Sequence, residues 1–388
     1  MIASSVIELS KSALKKNLAF LRKQIGKDTI FSSVIKGNAY GHGIEVFVPL
    51  AEECGVRHFS VFDASEALRT LNSRVRDSDI MILGSIDNAQ LEWAVENDIS
   101  FYIYGIDRLK AAIKASEMIG KPAKIHIELE TGLNRMGLED ENLDDVINAI
   151  KEKPHCIKIE GVCTHFAGAE SVNNYLRVQN QIAKYNQMVA DLKQKNVDIG
   201  HRHAACSAAC FNYPQTIMDM VRVGIAQYGF WPTKETMLHY SLGNSDTFGK
   251  RFKDPLKRVL KWKSRVINVK QVKSGEFVGY GTVYQTSRVQ KIASVPVGYF
   301  HGFSRNLSNL GRVLIHGKRV SVVGLVNMNM MMIKVTDVPN VNIGDEVVII
   351  GKQKRLEITV GSFSDMTNNL NYEVLVSLQP EIPRIVVE

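Results

Sequence analysis

Along roughly the first 225 residues, short apolar runs rich in β-branched residues alternate with longer stretches whose apolar positions recur every three or four residues. The runs at 29–35 (TIFSSVI), 58–62 (HFSVF), 79–84 (DIMILG), 99–104 (ISFYIY), 123–129 (AKIHIEL), 157–166 (IKIEGVCTHF), 199–205 (IGHRHAA) and 218–224 (MDMVRVG) read as strands. Between them, segments such as EVFVPLAEECG, ASEALRTLNSR and DRLKAAIKASEMIG carry one apolar face at helical spacing. Eight strands joined by seven crossovers predict an N-terminal (β/α)8 TIM barrel. A doubly wound open sheet is the alternative, but its first strand would lead into GxGxxG, and here the turn reads GNAYGHG.

The pattern changes after Trp231. Residues 232–255 read as a long polar connection. Beyond it WKSRVINVKQV, EFVGYGTVYQT, QKIASVPVGYF, GRVLIHGKRVSVVGLV, MMMIKVTDV and DEVVIIGKQ follow one another without intervening helices. These predict a mainly β second domain, with one short helix near VGSFSDMTNN. We place the barrel in residues 1–240 and the β-domain in 241–388, with the first ten or so residues packing with the latter.

Composition narrows the class. Five cysteines, odd in number and without CxxC spacing, argue against a disulfide framework or zinc site and suit a reducing compartment. No apolar run reaches the ~18 residues of a membrane span, and the N-terminus lacks a signal core, so a soluble cytoplasmic protein is expected. The net charge of +8 is concentrated in residues 248–265, where eight Lys/Arg face one Asp. A segment this local reads as a solvated basic linker and not as a nucleic-acid surface.

Barrel chemistry belongs at the C-terminal ends of the strands. Lys36, Arg135, His165, Ser207, Arg222 and Gly224 all fall there. Each alone has a bland reading, a solvated loop residue or a satisfied core histidine, but together they converge on one rim. A lysine amine beside apolar strand residues loses its proton readily and forms a Schiff base with a carbonyl. The HAACSAAC and VRVGIAQYG turns offer a hydroxyl and backbone amides to a phosphate. The set suits pyridoxal 5′-phosphate (PLP).

VIKGNAYGHG resembles the cofactor-lysine motif of the alanine racemases, PLP enzymes built of a barrel and a β-domain. ETGLNRMGL is similar to their arginine loop, VCTHFAGAE to their histidine strand, HAACSAAC to their phosphate serine and VRVGIAQYG to their arginine–glycine turn. VGYGTVY resembles the catalytic-tyrosine strand. VPVGYFHGFSRNLSN, VVGLVNMNM and LNYEV…IPRI match further motifs, so the resemblance runs in order from residue 34 to 385.

The resemblance implies roles. Lys36 would hold PLP and serve as the base on the D face; Tyr280, donated by the partner subunit of a homodimer, would be the base on the L face. His165 would bond that tyrosine or the arginine network, and Arg222 would face the pyridine nitrogen. Arg135 and the Met328 amide would grip the substrate carboxylate. Tyr40, Ser207, Gly224, Ile225 and Tyr372 would hold the phosphate, and Tyr299 would line the entrance. Many relatives carry a carbamylated lysine where this chain has Glu128, a ready-made anion able to orient Arg135. His301 and Asn329 replace acidic residues and Leu325 an arginine, which bears on substrate choice more than on reaction type. The implied function is racemisation of alanine, supplying D-alanine for peptidoglycan, with a broader or serine racemase as the alternative. A basic amino-acid decarboxylase would need an acid at the ring nitrogen, where Arg222 stands. A non-catalytic PLP-binding barrel would lack the second domain.

Overall fold

The computed structural model describes residues 3–243 and 252–388. The chain opens with a strand that the apolar pattern did not single out, β1 (Ser5–Ser10), in which Ile7 and Leu9 are buried. The eight runs picked from the sequence then follow as β2 (Ile30–Val34), β3 (His58–Val61), β4 (Asp79–Ile82), β5 (Ser100–Ile103), β6 (Ala123–Glu128), β7 (Ile157–Cys163), β8 (His201–His203) and β9 (Met220–Val223). All pair in parallel, in the order β8-β7-β6-β5-β4-β3-β2-β9. Asp219 N–H donates to the Arg202 carbonyl at 3.2 Å and Arg222 N–H to Ala205 at 2.9 Å, drawing β8 and β9 together and completing the barrel.

Helices Ile44–Glu53, Ala64–Ser73, Asn88–Glu96, Ile106–Ile119, Asp140–Glu152, Tyr175–Gln194 and the short Ser207–Asn212 separate the strands. Burial on both faces explains why β4 (Ile80, Met81, Ile82) and β5 (Phe101, Tyr102, Ile103) read as unbroken apolar runs and not as alternating ones. Helix starts follow local chemistry: Asp63 accepts the Glu66 N–H at 2.9 Å and caps Ala64–Ser73. Of the described residues, 13–36, 48–243 and 252–257 form this barrel unit, and 3–12, 37–47 and 258–388 form the second.

The second unit carries β10 (Leu260–Arg265), β11 (Asn268–Val272), β12 (Gln290–Val295), β13 (Arg312–Ile315), β14 (Lys318–Val323), β15 (Met331–Lys334), β16 (Glu346–Gln353), β17 (Leu356–Ile358) and β18 (Arg384–Val387). One sheet runs β11-β12-β15-β14-β13-β16-β10-β1-β18, with β17 paired to β16. β1 is antiparallel to β10 and parallel to β18.

Three expectations change. The polar connection at 232–255 contains a helix, Lys234–Gly243, and residues 244–251 lie outside the described part. The described end of the basic segment is no solvated linker. β10 belongs to it, and Lys261 and Lys263 pair there with Glu8 and Glu346, three of these contacts at 3.6–3.7 Å and Lys263–Glu8 closer. Alternation of basic and buried residues made it look like a charge run, while Leu260 and Trp262 fill the core. EFVGYGTVYQT is not a strand. Gly279 and Gly281 adopt φ of +77° and +67°, turning the chain at Tyr280. An isolated Phe277–Gln285 bridge, with Val278 N–H donating to Tyr284 O at 3.0 Å and Thr286 N–H to Glu276 O at 2.9 Å, closes the loop. The short helix is present as Val360–Thr367, followed by another, Asn371–Val376.

Candidate active site

Lys36 follows β2, whose end is fixed from β9 and the turn behind it. Gln227 donates to the Val34 and Val223 carbonyls, both at 3.0 Å, and accepts from Ser33 Oγ at 2.7 Å; the Tyr228 hydroxyl also donates to Val34 O, at 3.1 Å. Lys36 itself keeps open surface. Shielding of its ammonium from water holds its pKa below the ordinary lysine value. The Arg135 cation adds to this, Glu66 opposes it, and Arg222 adds again. A lysine so placed gives up its proton readily.

The next residues reverse handedness. Gly37, Asn38, Ala39 and Tyr40 all take left-handed conformations, with φ of +63°, +55°, +54° and +51°. A left-handed residue other than glycine costs roughly 1–2 kcal/mol, so the turn needs support. His42 Nδ1–H supplies some of it, donating to the Ala39 and Tyr40 carbonyls at 3.0 and 2.9 Å, and Asn38 Oδ1 accepts from Ile44 N–H at 3.2 Å. The turn lies in the second unit, where the Tyr40 ring sits 5.9 Å from that of Tyr372.

Arg222 projects into the barrel and is buried. Its NH1 donates to His203 Nδ1 and, at 2.8 Å, to the His203 carbonyl; its NH2 donates to Thr164 and Ala204 carbonyls at 2.7 and 3.3 Å. Four of the five guanidinium donors are thereby committed, and among the described residues only Nε–H has no acceptor. Ser207 Oγ accepts the Gly224 N–H at 3.0 Å, so the two turns expected to cradle a phosphate are joined. Ile225 begins the short turn Ile225–Tyr228 beside them.

Arg135 is exposed at the end of a loop built by Glu130, whose carboxylate accepts the N–H groups of Gly132 and, at 2.9 Å, of Asn134. Glu128 is buried, and its Oε2 has no hydrogen-bond partner. Burial pushes its carboxyl pKa up, while Arg222 and then Arg135 pull it down. The two arginines therefore act on Glu128 through space, without a direct ion pair. Burial also holds His165 at about 3, with Arg222, Arg135 and Lys36 adding, so its ring is neutral. That ring makes no hydrogen bond among the described residues; only the backbone carbonyl does, accepting from Gln181.

The barrel unit thus holds Lys36, Glu128, Arg135, His165, Ser207, Arg222, Gly224 and Ile225. The second unit holds Tyr40, Tyr280, Tyr299, Met328 and Tyr372. There Tyr280 is 70% exposed, Tyr299 opens a short turn, and the Met328 N–H has no acceptor among the described residues. His301 is buried and caps that turn, its Nδ1 accepting the Gly298 N–H at 3.2 Å; imidazole does there what an acidic side chain would do. Sequence reasoning missed His203 and Glu130, although a histidine at alternate positions of an apolar strand (HRH, KIHIE) is a readable signal.

The sequence matches the family models for the alanine racemase N-terminal domain over residues 9–232 and C-terminal domain over 259–386. It is 36% identical over 387 residues to an alanine racemase of Leptospira interrogans, covering 99% of this chain and 96% of that one. Among solved structures it resembles alanine racemase from Bacillus anthracis with bound L-Ala-P (TM-score 0.88, 29% identity, 100% and 96% covered). It also resembles the Bartonella henselae enzyme with covalently bound pyridoxal phosphate (TM-score 0.82, 25% identity, 100% of both chains). With both family domains matched in order across an eight-stranded barrel and a β-rich second unit, this chain is an enzyme of the alanine racemase family.

Proposed function

We propose that the chain interconverts L- and D-alanine with pyridoxal 5′-phosphate and so supplies D-alanine for peptidoglycan in the cytoplasm. One observation carries the reading. Arg222, with four donors sealed in the barrel, keeps a single Nε–H for a ring nitrogen beside a lysine whose proton is loosely held. The residues present fit the cofactor. Lys36 would hold it, Ser207, Gly224, Ile225, Tyr40 and Tyr372 would hold its phosphate, and Arg222 would face its nitrogen. When bound, the cofactor supplies a sink for the electron pair left on Cα as the α-proton departs.

The chain's own residues do the rest. Arg222 is a permanent cation that donates a hydrogen bond without giving up its proton, so the sink stays weak and return of the α-proton is favoured over loss of other groups. Arg135 and the Met328 N–H bind the substrate carboxylate, Glu128 steadies Arg135 from its buried side, and Tyr299 lines the entrance. Inversion requires proton transfer on opposite faces. Lys36 Nζ exchanges the proton on the D face and the Tyr280 hydroxyl on the L face, with neutral His165 able to accept from it. Tyr280 stands on an exposed turn with Phe277 and Val283, also exposed, which suits donation to a partner subunit in a homodimer.

The test follows D-alanine formed from L-alanine by chiral chromatography, with serine, lysine and arginine alongside. Wild type should racemise alanine fastest. Lys36→Ala and Tyr280→Phe should each be inactive, and mixing them under subunit exchange should restore activity through one intact shared site. Serine turning over faster would favour the broader racemase that Leu325 and Asn329 suggest. Absence of complementation would refute the shared site.

A further inference from the structure

Arg222 does not end at His203. His203 Nε2 lies 2.9 Å from Nδ1 of His126 on β6, and both rings are buried. The direction of this chain is fixed at one end. A guanidinium only donates, so His203 Nδ1 must accept from Arg222. Burial, then the Arg222 cation, holds the His203 pKa well below the ordinary value, so the ring is neutral and carries its one proton on Nε2. That proton is donated to His126 Nδ1. His126 is also held neutral, by burial and then by His58, so its own proton must sit on Nε2.

The strands are shaped for this pair. The β6–β7 register slips between Ile125 and His126, which pair with Ile159 and Gly161, leaving Glu160 as the extra residue on β7. A Cβ on Gly161 would stand 2.7 Å from His126 Nδ1, 3.1 Å from His203 Nε2 and 2.5 Å from the His201 carbonyl. Bulge and glycine together make room where the two rings meet. At the far end His126 lines a cavity of about 70 Å³ with His58, Asp79, Lys124, Glu160 and His201, and its Nε2–H has no acceptor among the described residues. A cavity of that size and polarity has room for a water able to accept it.

We propose that His126 is a positioning residue for Arg222, acting through His203: a one-way run of donors, Arg222 to His203 to His126, threads the barrel and holds the guanidinium with Nε–H turned to the cofactor. The inference rests on the racemase reading for its catalytic consequence, but the tautomers do not. Removal of the acceptor at His126 strands the His203 proton. The proton then moves to Nδ1, where it confronts the Arg222 N–H and displaces the guanidinium.

Nitrogen-15 NMR of the purified full-length protein, labelled at histidine, reads the tautomers directly. The wild type should show both His126 and His203 neutral with the proton on Nε2. His126→Leu should shift the His203 proton and lower kcat about tenfold with KM nearly unchanged, since Arg222 acts on the reacting system and not on the substrate carboxylate. His126→Asn, which keeps an acceptor near the Nδ1 position, should restore both. A wild-type His203 protonated on Nδ1 or on both nitrogens overturns the proposal, as does a folded His126→Leu with unchanged kcat. Should His126→Leu not fold, the wild-type spectrum and the Asn variant decide. A wild type without racemase activity but with the expected tautomers would sink the functional reading and leave the donor chain standing.

Discussion

Glu128 shows how much one buried group can depend on distant charges. Its Oε2 has no hydrogen-bond partner among the described residues, and its carboxyl pKa is raised by burial and held back by two guanidiniums. Such a group is costly unless its charge is used. On the proposed reading, the ordinary carboxylate of Glu128 takes the place of the carbamylated lysine that the resemblance implies for many relatives, and the site then needs no carbon dioxide. Activity should therefore not respond to added bicarbonate. Glu128→Gln keeps the shape and removes the charge; KM for alanine should rise by roughly five- to tenfold as Arg135 loses its anion. Steady-state kinetics measure this, and unchanged KM and kcat would remove Glu128 from the site.

At the scale of elements, the left-handed turn after β2 is the least tolerant piece of backbone. Gly41 continues it at φ +77°, and a Cβ there would stand 1.9 Å from the Leu375 carbonyl. Gly41→Ala combines a conformational penalty with a backbone collision and should lower stability by about 2–5 kcal/mol, read from the urea midpoint. Ala39→Gly, at φ +54°, should be close to neutral, because relief of strain offsets the added freedom of the unfolded chain. A large loss in Ala39→Gly would contradict a strained left-handed turn. None of this was legible in GNAYGHG, whose glycines signal a turn but not its hand. Barrel strands such as DIMI and SFYI were legible because burial on both faces leaves them apolar at successive positions, although β2, β3, β8 and β9 also bury Ser32, Ser33, His58, His203 and Arg222. β1 and β18 were not, since SVIELS and RIVV are short and gain their partners only from β10 and from each other. The tyrosine loop failed for the opposite reason: aromatic and β-branched residues in VGYGTVY mimic a strand, and the paired positive-φ glycines that break it carry the outcome. Among site residues, those at strand ends could be placed by the barrel rule. His126 and Gly161 could not, because their roles depend on a register slip visible only across two strands.

For the whole molecule, buried neutral histidines set the response to acid. Burial holds His58 at about 4 and His165 at about 3 in the barrel unit, and His42 at about 4 in the second. His126 and His203 are shifted the same way. In the unfolded chain each imidazole takes up a proton as the pH falls through about 6.5. In the folded protein His58 and His42 stay neutral until about 4 and His165 until about 3, and His126 and His203 are held well below the unfolded value. The unfolded state therefore binds more protons throughout that window, and stability falls as the pH falls. Glu128 and Asp79 act in the opposite direction, since their raised pKa values let the folded state bind protons first, but they are outnumbered. Each fully differing histidine contributes at most about 1.4 kcal/mol per pH unit, so the barrel should lose at least about 2 kcal/mol between pH 7 and pH 5. Urea titrations across that range measure it. Replacing His58 with Gln should flatten the slope, because one proton difference is removed while a polar side chain remains beside Ser32, which His58 contacts through Nδ1 at 2.9 Å. A stability that stays level from pH 7 to pH 5 would mean that the folded rings take up protons over the same range as the unfolded ones, so that they are charged by pH 5. Two of them, His203 and His126, would then be unable to pass the Arg222 donor across the barrel.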